Sequence, residues 1–154
     1  MGLIVNRPTD IRLASLLNLE GIEERTETIF IGGPVERSAI LLLVRSKTSL
    51  AKSEKITSDI YLSSSGTLLR QYIADSKSDE IFRLYSGYSS WAPGQLEYEV
   101  KHGSWHIFQS DPDTVFSAQP LKVWQQWIER TEFRFAKSKF SISVQGPRFR
   151  SDNG

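Results

Sequence analysis

Cysteine is absent from the 154 residues, which excludes disulfide stapling, thiolate catalysis and every sulfur-ligated metal centre. Histidine is scarce. With only His102 and His106 present, a metal site would need Asp111, Asp113 or Glu99 to complete its ligands. Charge of one sign is lacking as well: 19 basic residues stand against 18 acidic ones, so no global field attracts nucleic acid or an acidic membrane. Long apolar runs are missing. The longest, AILLLV at 39–44, falls far short of the ~20 residues that span a bilayer and suits a buried strand. The start, MGLIVNRP, carries neither a secretory signal nor an Arg- and Ser-rich transit peptide, and Asn6 stands where a myristoylation motif wants Ser or Thr.

Apolar and aromatic residues, at 39% and 11%, are plentiful enough to bury a core, which a disordered chain cannot do. The length fits one domain of the common size, about 100 to 150 residues. Gly2–Val5 reads as a short strand stopped by Pro8. Thr9 or Asp10 then offers a cap for a helix with the stripe Ile11, Leu13, Leu16 and Leu17. Strands are expected at 28–31, 39–44, 60–62, 81–85 and 105–108, with a loop from Arg45 to Thr57. Ser64 or Ser65 caps a helix with Leu68, Leu69, Tyr72 and Ile73 on one face. Pro93 and Gly103 bracket a short helix, Asp111-Pro112 opens a helical turn, and Leu121, Trp124, Trp127 and Ile128 recur at helical spacing. Strands and helices do not alternate as βαβ units, so the class is α+β.

The last segment differs. Residues 129–154 hold six basic and three acidic residues, with Phe133, Phe135, Phe140 and Phe149 interleaved, a mixture that single-stranded nucleic acid binders use. Phe140, Ile142 and Val144 alternate as a strand would. A disordered or opportunistically paired extension is the bland alternative.

GLIVNRP, FIGGPV, GYSSWAPGQLEYEV and GSWHIFQSDPDTVF, followed by a Trp-bearing helix, resemble the YqgE/AlgH family in order and spacing. The resemblance implies a bifurcated β-sheet that includes a small closed barrel, flanked by helices. Family members are often labelled transcriptional regulators, with no established activity. In the family GLIVNRP is internal, so the resemblance implies an N-terminally truncated domain over 1–131, followed by a divergent basic and aromatic tail over 132–154. The missing upstream strand would leave an apolar sheet edge open to self-association or to the tail.

Several patterns invite chemistry. Gly87-Tyr88-Ser89-Ser90-Trp91 has the outline of a nucleophile elbow, but Trp91 occupies the place of the second glycine. Gly32-Gly33-Pro34 offers backbone amides to an anion, yet no Lys-Ser or Lys-Thr follows, and a chain reversal accounts for it as well. His102 and His106 are separated by the helix-breaking Gly103. Glu97 and Glu99 point apart on a helix and solvate an outer face. Asn6-Arg7, just beyond a strand end, can hold an anionic or amide group, and Gln95 can line the same surface. The candidate binding set is therefore Asn6, Arg7, Gly32, Gly33, Trp91 and Gln95. No pattern requires a cofactor or a metal, and no catalytic set is coherent. The expectation is a non-enzymatic binding or regulatory domain with a protein or small-molecule partner, in the cytoplasm, or in a plastid stroma if a transit peptide lies upstream. A nucleic-acid-binding regulator is the alternative, and a serine hydrolase using Ser89 the weakest reading.

Overall fold

A computed structural model describes residues 1–15, 27–74, 80–109 and 111–142, the last ten by backbone alone. Six strands form one mixed sheet: β1 (Pro8–Arg12), β2 (Thr28–Ile31), β3 (Val35–Arg45), β4 (Glu54–Lys55), β5 (Ile60–Ser63) and β6 (Ile81–Tyr88). Their order is β1-β2-β6-β3-β5-β4, with β2 parallel to β6 and the other pairs antiparallel. Among the described residues four α-helices complete the α+β architecture: α1 (Gly66–Ala74), α2 (Gln95–Lys101), α3 (Pro112–Val115) and α4 (Pro120–Ile142). The described residues fall into two compact units that divide between Val123 and Trp124.

Side chains alternate across a strand, and the central strands use both faces. Ile29, Leu42, Val44 and Leu84 meet Leu68, Tyr72 and Ile73 of α1 on one face. Phe30, Leu41, Leu43 and Tyr85 form the second core with Ile60, Leu62 and Phe116. A two-sided sheet explains why β3 reads as an unbroken apolar run. Helix α1 starts where expected, with the Ser65 hydroxyl accepting from Leu68 N–H. The Tyr85 hydroxyl is buried, and no hydrogen bond engages it among the described residues. Burial pushes its pKa up, and the charge of nearby Arg83 offsets part of the rise.

Several expectations are corrected. The segment after Pro8 is strand β1, not a helix. The Thr9 hydroxyl, read as a cap, instead donates to Ile29 O at 2.7 Å, and pairing with β2 holds the chain extended. Leu16 and Leu17 of that stripe lie outside the described residues. Gly2–Val5 forms a single bridge, Gly2 to Ser89, rather than a strand, because the chain turns at Val5 and Asn6. The Arg45–Thr57 loop contains β4, paired to Tyr61 and Leu62. Residues 105–108 have no regular structure. Phe140 and Ile142 belong to α4 rather than to a strand, and Val144 lies outside the described residues. The sheet is open among the described residues, with β1 and β4 as its edges, so the closed barrel is not formed by these strands.

Candidate functional site

Gly94 starts α2 with φ 76°, a left-handed conformation that glycine adopts without strain, and Gly103 closes the helix at the same φ. Pro93 therefore stands just outside the helix rather than in its first turn. Gln95 and Glu99 stand one turn apart on α2, and Trp91 reaches them from the segment before the helix. Glu99 is the hub. Its Oε2 accepts from the indole N–H of Trp91 at 3.2 Å and of Trp105 at 2.8 Å, and its Oε1 accepts from Gln95 Nε2 at 2.9 Å. Gln95 Oε1 in turn accepts from Ala92 N–H at 3.0 Å. The two indoles meet edge to face, 5.9 Å apart at 70°. On the same helix Tyr98 stacks on His102 at 3.9 Å, and His102 Nδ1 lies 2.8 Å from Tyr98 O.

Glu99 does not merely solvate an outer face; the structure makes it the carboxylate that orders two tryptophans. Its pKa lies below the ordinary glutamate range, chiefly because Trp105 and then Gln95 donate to the ionised form. A lowered folded-state pKa means that the contribution is present above the ordinary glutamate range and lost as pH falls through the lowered value. Glu99→Gln is accordingly expected to remove an acid-side transition in tryptophan fluorescence while leaving the neutral-pH fold intact. An unchanged acid titration in that variant would show that the carboxylate does not order the indoles.

The remaining candidates separate into two places. Asn6 and Arg7 turn beside Gly32: Ile4 N–H donates to Gly32 O, and Ile31 N–H donates to Arg7 O, each at 2.8 Å. Neither the Asn6 nor the Arg7 side chain makes a hydrogen bond or ion pair among the described residues, and Arg7 is exposed. Gly32 and Gly33 lie where the chain crosses the end of β6, and the Gly32 N–H is already committed to Ser86 O at 2.9 Å. This geometry accounts for the glycine pair by close backbone approach. Trp91 covers Gly2, where an added Cβ would come within 3.1 Å of the ring. Gln95 is absorbed by the Glu99 network, and among the described residues no hydrogen bond joins it to Asn6 or Arg7.

Ser89 uses its backbone to bridge Gly2, and no hydrogen bond engages its hydroxyl among the described residues. No group of three His, Asp or Glu side chains among the described residues could hold a metal ion. Two polar groupings escaped the sequence reading. Glu80 accepts from the hydroxyls of Ser46 and Tyr72. Arg45 pairs with Asp59 at 2.9 Å and Asp113 at 2.5 Å, which raises the Arg45 pKa and lowers that of Asp59. Both groupings tie together elements distant in sequence, which local spacing does not reveal.

Residues 1–136 match the AlgH-like family. A UPF0301 protein of Idiomarina loihiensis is 30% identical over 139 residues, covering 86% of this chain and 75% of the relative. One from Shewanella frigidimarina is 32% identical over 140 residues, with the same shares covered. The solution structure of the AlgH protein from Pseudomonas aeruginosa gives a TM-score of 0.68 at 22% identity, covering 97% of this chain and 79% of that one. The crystal structure of a Corynebacterium diphtheriae protein gives 0.62 at 17% identity, covering 82% and 68%. At those identities the two structures establish the fold alone. With motifs, topology and relatives in agreement over most of its length, the chain belongs to the AlgH-like family.

Proposed function

We propose that this protein is a non-enzymatic binding domain that engages a protein partner through the aromatic surface around α2. One observation carries the reading: large apolar side chains stand exposed yet held in place. Tyr98 is 63% and Trp105 45% exposed, while Trp105 is fixed by Glu99 and Tyr98 by His102. Aromatic residues so immobilised lose little entropy on association and serve as interface anchors. Ile107, 64% exposed, extends the apolar area, and exposed patches of this kind mark interaction sites. No helix among the described residues is long and apolar enough to cross a membrane, and the cytoplasm is the compartment we propose.

The test is capture of partners from the source cell with nuclease treatment as a control. A partner that survives nuclease, binds about tenfold more weakly to Tyr98→Ala/Trp105→Ala and is retained by Ser89→Ala supports the proposal. Partners lost on nuclease treatment would favour the nucleic-acid-binding regulator instead. An ester-hydrolysing activity abolished by Ser89→Ala would overturn the non-enzymatic reading.

A further inference from the structure

Helix α4 carries an apolar stripe that shares no residue with the aromatic surface around α2. From Trp124 onward Ile128, Thr131, Phe135, Ser138 and Ile142 follow at alternating spacings of four and three, the a and d positions of a helical seam. Trp124 is 67% exposed, and Ile128 and Thr131 are half-buried. Thr131 suits such a seam, since its hydroxyl donates to Trp127 O at 2.9 Å and brings no unpaired donor into it.

The borders of the seam decide what can cover it. Gln125, Glu132 and Lys139 stand at e, with Trp127 and Arg134 at g. Glu129 and Arg130 stand at b and c, away from the seam. Both are engaged within their own helix: Gln125 Nε2 donates to Glu129 Oε1 at 3.2 Å, and the Arg130 guanidinium lies 4.8 Å from the centre of the Trp127 ring.

Two copies of α4 laid in the same direction would set Arg134 of each against Lys139 of the other, a repulsion made twice. Laid in opposite directions and centred between Glu129 and Arg130, they set Ile128 against Thr131 and Trp124 against Phe135. Gln125 then stands across from Glu132 of the second copy, and Trp127 across from Arg134. No like charges oppose one another. Sliding this register one heptad towards the C-terminus brings Glu132 onto Glu132 and Arg134 onto Arg134, and sliding it the other way carries Phe135 past the start of the opposite helix. The charge pattern thus fits a second copy of this chain in one arrangement.

We propose that the protein self-associates through α4 as an antiparallel helical pair with Trp124 as its anchor. The contact is isologous, so it closes at two copies. Trp124 to Phe135 spans about 18 Å of helix, an interface at the low end of the specific range, and dissociation at about 10–100 µM is expected.

Sedimentation equilibrium of the full chain from about 1 to 200 µM should show monomer passing to dimer. Trp124→Glu, at an exposed position, should leave the thermal melt unchanged and weaken the dimer about tenfold or more. Gln125→Lys gains a pair with Glu132 in the antiparallel arrangement and none in the parallel one, and should tighten the dimer about threefold. Because the chain has no cysteine, single thiols report the direction. Mixed Gln125→Cys and Glu132→Cys chains, mildly oxidised, should form disulfides between unlike chains in preference to like ones. A chain that stays monomeric over the whole range, a dimer unmoved by Trp124→Glu, or oxidation that joins only like chains would overturn the proposal. A dimer lost in Tyr98→Ala/Trp105→Ala but kept in Trp124→Glu would overturn it as well, and would assign self-association to the surface around α2.

Discussion

Gly33→Ala is expected to prevent this domain from folding. A Cβ at residue 33 would stand 2.1 Å from the carbonyl carbon of Tyr88, 2.3 Å from its oxygen and 2.4 Å from Ser89 N. All three are backbone atoms at the end of β6, so no side chain can swing aside to relieve the overlap. Gly32 is similar, with its added Cβ 2.2 Å from Gly87 O. Gly87 needs its own freedom, since it holds φ 69°. Backbone displacement at the meeting of β2, β3 and β6 would cost about 4 kcal/mol or more, at the extreme of single substitutions. The comparison is Gly66→Ala at the start of α1, where the nearest atom to a new Cβ is Arg70 Nη2 at 3.8 Å. That change should be neutral or stabilise by about 0.5–1 kcal/mol, because alanine favours the helix. Thermal melting followed by circular dichroism decides the matter. A cooperative melt of Gly33→Ala within a few degrees of the parent protein would show that the crossing is not as tight as the geometry states.

The glycine pair also shows what a sequence can disclose. Gly-Gly-Pro after an apolar run announces a reversal, and the reversal is there; the glycines' role depends on β6, about fifty residues later in the chain. Strands β2, β3, β5 and β6 were legible because short apolar runs end at turn residues. Helix α1 was legible because Ser65 precedes a helical stripe. β1 was not, since Thr9 and Asp10 carry the same local signature whether they cap a helix or pair with β2. The candidate site divides in the same way. Gln95 and Glu99 are four apart on α2, and that spacing could have revealed their pairing, whereas Trp91 joins from outside the helix. Trp105 joins only because the chain turns back at Gly103, and the partners of Glu99 depend on that return.

Arg83→Met should destabilise the domain by about 2–4 kcal/mol, and should do so through α3. Arg83 lies on the face of β6 opposite α1, its guanidinium 4.6 Å from the centre of the Phe30 ring and 5.8 Å from that of Phe116. From there it donates to Val115 O at 2.8 Å and to Ser117 O. These carbonyls lie at the end of a four-residue helix, which is too short to be stable without tertiary support. The cation also lies where the carbonyl ends of that turn favour positive charge. Methionine preserves much of the apolar stem but leaves both carbonyls without their charged donor in a half-buried place. That is why the usual tolerance for exchanging a buried charge for an apolar group does not apply. Lysine should recover only part of the loss, because one ammonium cannot reproduce a forked pair of bonds at fixed geometry. The ion pair of Asp113 with Arg45 offers little compensation, since Asp113 is 80% exposed. Denaturant unfolding would measure the loss, and amide exchange would place it: the N–H groups of Val115 and Phe116, which bond to Asp111 O and Pro112 O, should lose protection before those of β3. A variant within about 0.5 kcal/mol of the parent, with protection at Phe116 unchanged, would show that α3 is held by apolar contact alone.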